Sequence, residues 1–428
     1  MKLYITLIYV LLNSFLFAQS LQEAVAEALE NNDLVNAGRQ AVVEAQYLER
    51  STFAGTLPTL DFTGSARYVT HVPEIDFPAL PGLSGQSITL GSKDTYEVGI
   101  GLNYTLFSGF AQTASEQLAS EKIILARLSL LANQKEIALK TVQLYRGVQL
   151  LDIADLILDA GHKRLNLQFD RLKIAVQNGY SLAVDTLSLK LSVLKIEQRK
   201  SDIAVRRANL VELLQIATGK NFQVLPFEAN LGKALDSPFN PDKNEQIRKI
   251  DSKEKQLDIK NDIIKSSYYP KIGLQAFYKY GKPGLDFIKD EWMDYGVLAV
   301  GLQWNLWSWS THRNQLEANN AKMLQVGFEK NSLKEQVKTS YEKSIRNYEH
   351  AQKSLAVFQM GNKLARQKMK IIETQYQEGS VSTTDYNLAN QELIETELDL
   401  KKQMIEISLK ISEIDFYSGK PVSEWRLN

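Results

Sequence analysis

Two stretches of alternating residues, 200 positions apart, decide the fold of this 428-residue chain. The first reads GLNYTLFS over residues 101–108, and the second reads GLQWNLWS over residues 301–308. In each stretch apolar and polar residues alternate, which is typical of a β-strand with one apolar face. The similarity of the two stretches indicates that they are copies of one strand in a duplicated chain.

The duplication extends well beyond these strands. Other pairs of identical residues keep the same offset of 200: Arg146 and Arg346, Gly161 and Gly361, Gln177 and Gln377, Gly179 and Gly379, Asp185 and Asp385, and Gly219 and Gly419. Upstream the offset becomes 212, where Pro58-Thr59-Leu60 corresponds to Pro270-Lys271-Ile272. The sequence therefore predicts two structural repeats, residues 19–220 and 243–428, joined by a proline-bearing linker at 221–242.

The ten prolines leave two long spans free of helix breakers, because none lies between residues 82 and 225 or between 284 and 420. Within these spans apolar residues recur every three or four positions, which indicates amphipathic helices. We expect a long helix and a shorter return helix in each repeat: 109–178 with 185–218, and 310–378 with 385–418. At 1.5 Å per residue the long helices would reach about 105 Å.

Between the helices, alternation predicts four strands arranged as two hairpins, 59–107 and 271–307. The stretches 71–95 and 281–294 are expected to be the loops at their far ends. Each strand has an apolar and a polar face. In a membrane barrel the residues expected to face lipid are Leu60, Phe62, Ile100, Leu102, Tyr104, Leu274, Val300, Leu302 and Trp304. Those expected to face the lumen are Asp61, Arg67, Asn103, Gln275 and Gln303.

Such strands could also cover a soluble core with one face. The N-terminal signal-peptide pattern, which indicates export, and the length of the helices favour a membrane barrel instead, with apolar residues outside and polar residues inside. Four strands are too few to close a barrel, and open strand edges are not tolerated in lipid. We therefore expect oligomerisation through the strands, and three copies would give a permitted even number of twelve.

The first 18 residues carry the pattern of a secretory signal peptide. Lys2 precedes a mostly apolar run from Leu3 to Phe17, and Ala18-Gln19 offers a cleavage point. A buried N-terminal helix is the alternative interpretation. Ser20 and Glu23 form a capping-box pattern, which predicts that a helix begins just after the cleavage point. No other stretch approaches 18 consecutive apolar residues, so we expect no membrane-spanning helix.

Composition argues against several classes of function. Fifty basic residues balance fifty acidic ones, so nucleic acid is not expected as a partner. Cysteine is absent, which excludes disulfides and thiolate metal sites, and the four histidines form no metal-binding pattern. No catalytic constellation or phosphate-binding loop occurs. We expect no enzyme activity, no cofactor and no metal.

Taken together, these features resemble the TolC-type outer-membrane efflux family over essentially the whole mature chain. The resemblance is carried by SLQEAV at residues 20–25, LPTL at 57–60, YTLFSG at 104–109, and the segments 179–185 and 379–385. It implies an α+β membrane protein, in which an antiparallel α-helical coiled-coil barrel joins a trimeric twelve-stranded transmembrane β-barrel. The implied location is the outer membrane of a Gram-negative-type cell, with a large periplasmic part.

The resemblance also implies partners: two further copies of the chain, outer-membrane lipid, a periplasmic adaptor protein and, indirectly, an inner-membrane pump of the RND or ABC type. The helical turns that would dock the adaptor contain Gly179, Tyr180, Leu182, Asp185, Gly379 and Val381. In the family, two acids three residues apart often form a gate near the second turn. This chain has Asp385, but Leu388 stands at the second position.

The sequence allows two roles for Asp385, because the same residue could simply cap the following helix. Asp185 is expected to favour the capping role more strongly. The function implied is passive export from an adaptor and pump to the exterior. The alternative is a secreted coiled-coil scaffold or adhesin without transport activity, which would not need an apolar strand face.

Overall fold

The computed structural model describes residues 18–78, 85–221, 223–228, 239–286 and 289–427. The predicted signal peptide lies outside these residues except for Ala18. The predicted linker at 221–242 is also described only in part. The described residues fall into two compact units. One lies within Met1–Ala41, Arg127–Lys249 and Lys330–Asn428, and the other comprises Val42–Ala126 and Ile250–Glu329.

The described residues form seven α-helices, which confirms the expectation of a largely helical chain. They are α1 (Leu21–Asn31), α2 (Asp33–Ala54), α3 (Ala111–Gln177), α4 (Ala183–Thr218), α5 (Glu245–Lys265), α6 (Thr311–Gln377) and α7 (Thr383–Tyr417). The long helices α3 and α6 contain 67 residues each, as a duplicated chain would require.

Helix α1 begins at the predicted capping box, where the Glu23 N–H donates to Ser20 Oγ at 3.2 Å and the Ser20 N–H donates to Glu23 Oε2 at 2.7 Å. The first helical segment is interrupted at Asn32, which has an extended backbone. The Asn32 side chain stabilises this break. Its Oδ1 accepts the Leu34 N–H at 3.0 Å, and its Nδ2 donates to the Ala217 carbonyl at 3.1 Å.

Eight strands are present in the described residues: β1 (Ala18–Gln19), β2 (Thr59–Tyr68), β3 (Glu74–Phe77), β4 (Gln86–Thr89), β5 (Asp94–Phe107), β6 (Gln223–Val224), β7 (Lys271–Lys282) and β8 (Met293–Gln303). The largest sheet has the order β2-β5-β7-β8, and all its neighbours are antiparallel. It therefore joins the two predicted hairpins side by side through β5 and β7.

Two expectations about the strands were wrong. The loop expected at 71–95 contains a small antiparallel sheet, formed by β3 and β4. The second hairpin was expected to run to residue 307, but β8 ends at Gln303. Its partner strand begins at Lys271, opposite Gln303, so later residues have no backbone partner within the described chain. Asn305 instead turns the chain, since its Oδ1 accepts the Trp307 N–H at 3.2 Å.

The core of the first unit includes a cluster around Tyr145, which is almost fully buried. The Tyr145 hydroxyl donates to the Gln19 carbonyl at 2.6 Å and accepts the Leu225 N–H at 3.0 Å, so it ties the first strand to the inter-repeat segment. The C-terminal segment also reaches this core through Trp425. Arg426 fixes the segment by donating to buried Asp415 at 2.7 Å and 3.1 Å.

Candidate functional site

The sheet separates the predicted residues into two faces. Strand register places Phe62 beside Ile100, and Ile100 beside Tyr278, on one face. The same face carries Leu60, Leu102, Tyr104, Leu274, Val300 and Leu302. All the predicted lipid-facing residues within strands thus lie on one continuous apolar face. Trp304 lies beyond the end of β8, where its Nε1 donates to the Tyr268 carbonyl at 3.0 Å. Exposure of this face to lipid remains a prediction.

The opposite, polar face carries the five predicted lumen-facing residues Asp61, Arg67, Asn103, Gln275 and Gln303. Asn103 donates from Nδ2 to Asp61 Oδ2 at 3.2 Å. The face also contains Phe277, which breaks the alternation of its strand. Lys279 covers this ring, with Nζ 5.0 Å from its centroid. A charged side chain therefore screens the apolar exception on this face.

A charged cluster on the polar face, near the hairpin loops, was not singled out from the sequence. Glu97 on β5 accepts a hydrogen bond from Lys279 on β7 at 2.7 Å and another from the Tyr295 hydroxyl on β8 at 2.6 Å. The cluster crosses three strands and both repeats. Alternation alone could have placed Glu97 and Lys279 on the polar face, but their pairing depends on the register between repeats.

Aromatic residues gather at the end of the apolar face near the hairpin loops. The Trp292 ring stacks against Tyr280 with a centroid distance of 5.1 Å and against Tyr96 at 6.4 Å. Tyr280 lies near the end of β7, and Trp292 lies in the predicted loop at 281–294. Aromatic rings of this kind are enriched where membrane strands meet the headgroup region.

The helical turns form the second candidate site. In the first turn the Tyr180 N–H donates to the Ala175 carbonyl at 2.8 Å, and Gly179 has a φ of 77°. In the second turn the Ser380 N–H donates to the Gln375 carbonyl at 2.9 Å, and Gly379 has a φ of 74°. Both helices therefore end in the same motif, with glycine in the left-handed conformation that other residues adopt at a cost.

The first turn presents apolar side chains to solvent in the single chain. Tyr180 is 85% exposed and Leu182 is 69% exposed. Leu182 occupies the N-cap of α4 and offers no side-chain hydrogen bond to the helix. Beyond it, Val184, Leu187 and Leu191 continue the exposed apolar row along α4. Exposed clusters of this kind commonly mark protein contacts.

The second turn is polar and is closed by Asp385. Ser382 caps α7, accepting the Asp385 N–H at 3.1 Å, while Asp385 Oδ2 accepts the Ser382 hydroxyl at 2.6 Å and its N–H at 3.1 Å. These hydrogen bonds lower the pKa of Asp385 from its ordinary value of 3.8. Val381 is partly exposed beside this cap.

The expected ranking of the two acids was wrong. Asp385, not Asp185, takes part in a capping box, because Ser382 supplies the hydroxyl that Leu182 lacks. Asp185 contributes its backbone N–H to the Leu182 carbonyl at 3.1 Å. The capping role of Asp385 leaves the carboxylate exposed, so this role and a gating role are compatible.

Helices α3 and α7 meet closely above the turns. Arg164 Nε donates to Asn390 Oδ1 at 2.8 Å, and Asn390 is almost fully buried. Burial also raises the pKa of Tyr386 to about 12. At Gly161 the helices approach so closely that an added Cβ would lie 2.9 Å from Ile394 Cγ1. This packing fixes the position of α7, and with it the position of Asp385.

The described residues include no group of acidic residues and histidines arranged to hold a metal ion. Among the same residues, no helix combines the length and apolar character needed to cross a bilayer.

Comparison with known proteins gives one family match and several structures with a similar fold. Residues 243–405 match the family model described as outer membrane efflux protein. No curated protein matches the chain. Among solved structures, CusC shares 13% identity with a TM-score of 0.80, covering 95% of this chain and 94% of its own. The Campylobacter jejuni CmeC outer membrane channel shares 13% identity with a TM-score of 0.78, covering 95% and 87%.

The outer membrane protein VceC from Vibrio cholerae is also similar, with 16% identity and a TM-score of 0.74, covering 94% of this chain and 96% of that protein. The fold is thus shared over nearly the whole chain, and the sequence match falls on the second repeat. Residues 243–405 therefore match the outer membrane efflux protein family in sequence, and the chain as a whole resembles these solved structures in fold.

Proposed function

We propose that three copies of the chain form a passive export duct through the outer membrane, the exit of a tripartite efflux or type I secretion system. One observation carries the proposal. A four-stranded sheet with one continuous apolar face ends in β2 and β8, and neither edge is paired within the described chain. A largely helical chain has little use for such an apolar sheet face in water.

The physical argument rests on what lipid requires. Each unpaired backbone group in the hydrocarbon region costs several kcal/mol, so a sheet there must close on itself. Small membrane barrels need about eight strands, which excludes closure by one chain of four. Three chains supply twelve strands, and the polar face, with Asp61, Arg67 and the Glu97 cluster, would then line a water-filled lumen.

The helical turns are the proposed docking site for a periplasmic adaptor. The first turn offers apolar contact area through Tyr180 and Leu182, and the second offers polar groups around Ser382. Energy must come from elsewhere, because the chain has no phosphate-binding loop. An inner-membrane pump of the RND or ABC type, reached through the adaptor, is the proposed driver.

Asp385 is the proposed electrostatic gate. In a trimer three copies of this exposed carboxylate would converge at the turns and attract cations. The Ser382 hydrogen bonds lower its pKa, so the charge persists at lower pH than for an ordinary aspartate. The chain carries one such acid per copy, so the expected preference is weaker than that of a paired-acid ring.

The test is a mass measurement followed by conductance. Light scattering of the purified mature protein, with detergent mass subtracted, should give about three chains per particle. The same particles should form discrete ion-conducting channels in planar bilayers. A soluble monomer or dimer that needs no detergent would contradict the proposal and would favour the coiled-coil scaffold.

A further inference from the structure

The contact between the two hairpins of one chain is equivalent to the contact that neighbouring chains would make in the proposed trimer. Its two hairpins have the same register: Thr59 lies opposite Asn103 in the first, and Lys271 lies opposite Gln303 in the second, as the offsets of 212 and 200 require. Between the hairpins, β5 and β7 form a seam in which Asn103 lies opposite Gln275 and Tyr104 lies opposite Leu274.

Adding 200 to each β5 residue of this internal seam gives the equivalent residue near or in β8, and subtracting 212 from each β7 residue gives the equivalent residue of β2. These equivalents define the seam between chains. We propose that β8 pairs with strand β2 of a second copy, with Gln303 opposite the partner subunit's Thr63 and Gly301 opposite the partner subunit's Ser65. This inference rests on the proposed trimeric duct and specifies its interface. The occupant of the free edge is a second copy because the chain already shows that its two repeats pair in this way.

The proposed seam also explains why β8 is short. In the internal seam β5 continues to Phe107, which pairs with Ile272 after a one-residue bulge. The corresponding residues 304–307 have no partner strand within the described chain, and β8 ends before them. Pairing with residues 60–62 of a second copy would extend β8 through Trp307. The sequence pattern, which predicts a strand to residue 307, would then describe the assembled state.

The two seams differ at their base, where the strands pass into the long helices. Gly109 and Trp309 are equivalent, and both have left-handed backbones with φ of 68° and 50°. A Cβ at Gly109 would overlap the Ser266 carbonyl oxygen and would lie 2.8 Å from Tyr269 Cβ. Gly109 therefore allows the internal seam to close tightly.

Trp309 carries the Cβ that this close approach excludes. The residues equivalent to Ser266 and Tyr269 are Ala54 and Leu57, and both pairs share the same turn hydrogen bond, at 3.2 Å and 3.1 Å. The seam between chains must consequently be wider at its base, with the 84% exposed Trp309 ring filling the gap against Leu57 of the partner subunit. A trimer would contain three internal seams and three seams between chains. These six seams would be similar except at the three Trp309 positions.

Disulfide cross-linking tests the register cleanly, because the natural chain has no cysteine. In the Gln303→Cys/Thr63→Cys variant, oxidation should link chains into covalent dimers and trimers that a reducing agent separates. The matched pair Asn103→Cys/Gln275→Cys should instead close within one chain, lose its reactive thiols and remain monomeric in denaturing gels. Gln303→Cys/Phe62→Cys places the thiols on opposite faces and should not cross-link.

A second pair tests the wide base. Disulfides need Cβ atoms about 3.8 Å apart. Trp309→Cys/Leu57→Cys should cross-link between chains if the base is about 1 Å wider than the internal seam. Gly109→Cys/Tyr269→Cys should not form a disulfide, since its Cβ atoms would lie only 2.8 Å apart.

The outcomes separate this inference from the proposed function. Trimers in light scattering that cross-link through Phe62, or that fail to cross-link through Thr63, would overturn the register and leave the duct standing. Particles that are not trimeric would overturn the duct itself. Trimers linked through both predicted pairs would support the two statements together.

Discussion

Lys279 Nζ lies 2.7 Å from Glu97 Oε1, an ion pair that joins strand β7 of the second repeat to strand β5 of the first. The Tyr295 hydroxyl adds a third strand to this contact. On the polar face of a trimeric barrel, three such pairs would place nearly balanced charge around the lumen. Changing one partner would leave the other charge in the pore without compensation.

The first prediction concerns ion selectivity in the barrel. Lys279→Met should shift the reversal potential of single channels towards cation preference, and Glu97→Gln should shift it towards anions, because each change leaves one uncompensated charge per chain. Asp294→Asn is the matched control. Asp294 lies on the opposite face, where it accepts the Tyr278 hydroxyl at 2.5 Å. Identical reversal potentials in all three variants would contradict the prediction that the polar face lines the pore.

The second prediction tests the two faces of the sheet. Leu102→Arg should reduce the amount of trimer in the outer-membrane fraction, since arginine facing lipid costs about 2–4 kcal/mol near the bilayer midplane. Asn103→Arg, one residue along on the polar face, should assemble close to normally. Equal assembly of the two variants would contradict the assignment of faces.

The third prediction concerns Asp385 and its cap. Asp385→Asn should lower cation preference in single-channel recordings, whereas Asp185→Asn should change it less. With a lowered pKa, Asp385 keeps its charge until the pH falls through that pKa, below the ordinary 3.8. Cation preference should therefore survive to lower pH than an unperturbed aspartate would allow.

Ser382→Ala provides the companion measurement. The change removes the hydroxyl hydrogen bond, the larger cause of the lowered pKa of Asp385, and keeps the one from the backbone N–H, so cation preference should disappear at a higher pH than in the natural chain. The same change should destabilise the start of α7 by about 1 kcal/mol. An unchanged pH profile would show that Ser382 does not control this carboxylate.

The fourth prediction uses two equivalent glycines in the long helices. An added Cβ at Gly161 would lie 2.9 Å from Ile394 Cγ1, but at Gly361 it would meet no atom of the described chain within 4 Å. Gly161→Ala should lower the midpoint of thermal unfolding, since overpacking costs roughly 1–3 kcal/mol. Gly361→Ala should leave it unchanged or raise it, because alanine is favoured in helices by about 0.5–1 kcal/mol. A lower midpoint for Gly361→Ala than for Gly161→Ala would contradict the close packing of α3 against α7.

Most of the fold was predictable because its signals are local and duplicated. Alternation located the strands, the distribution of proline bounded the long helices, and the fixed offset related the hairpins to each other. The break at Asn32 was missed because it depends on a contact with Ala217, far away in the sequence. The end of β8 was missed because alternation cannot show whether a strand has a partner.

The candidate site was predictable in its faces and not in its contacts. The two-residue alternation of a strand was enough to place Leu102 and Asn103 on opposite faces of the sheet. The pairing of Glu97 with Lys279 requires the register between repeats, which the sequence does not state. Ser382 could have been recognised, because Ser-x-x-Asp places a hydroxyl and a carboxylate three residues apart at a helix start.

The two unpaired edges of the sheet also govern how the oligomer forms. A single chain exposes two strand edges, and a pair of chains joined through one seam still exposes two. The third chain closes two seams at once and leaves no edge, so two of the three seams, and most of the benefit of pairing every backbone group in lipid, arrive in the final step. Dimers should therefore be scarce at equilibrium, and assembly should depend steeply on the concentration of chains at the membrane.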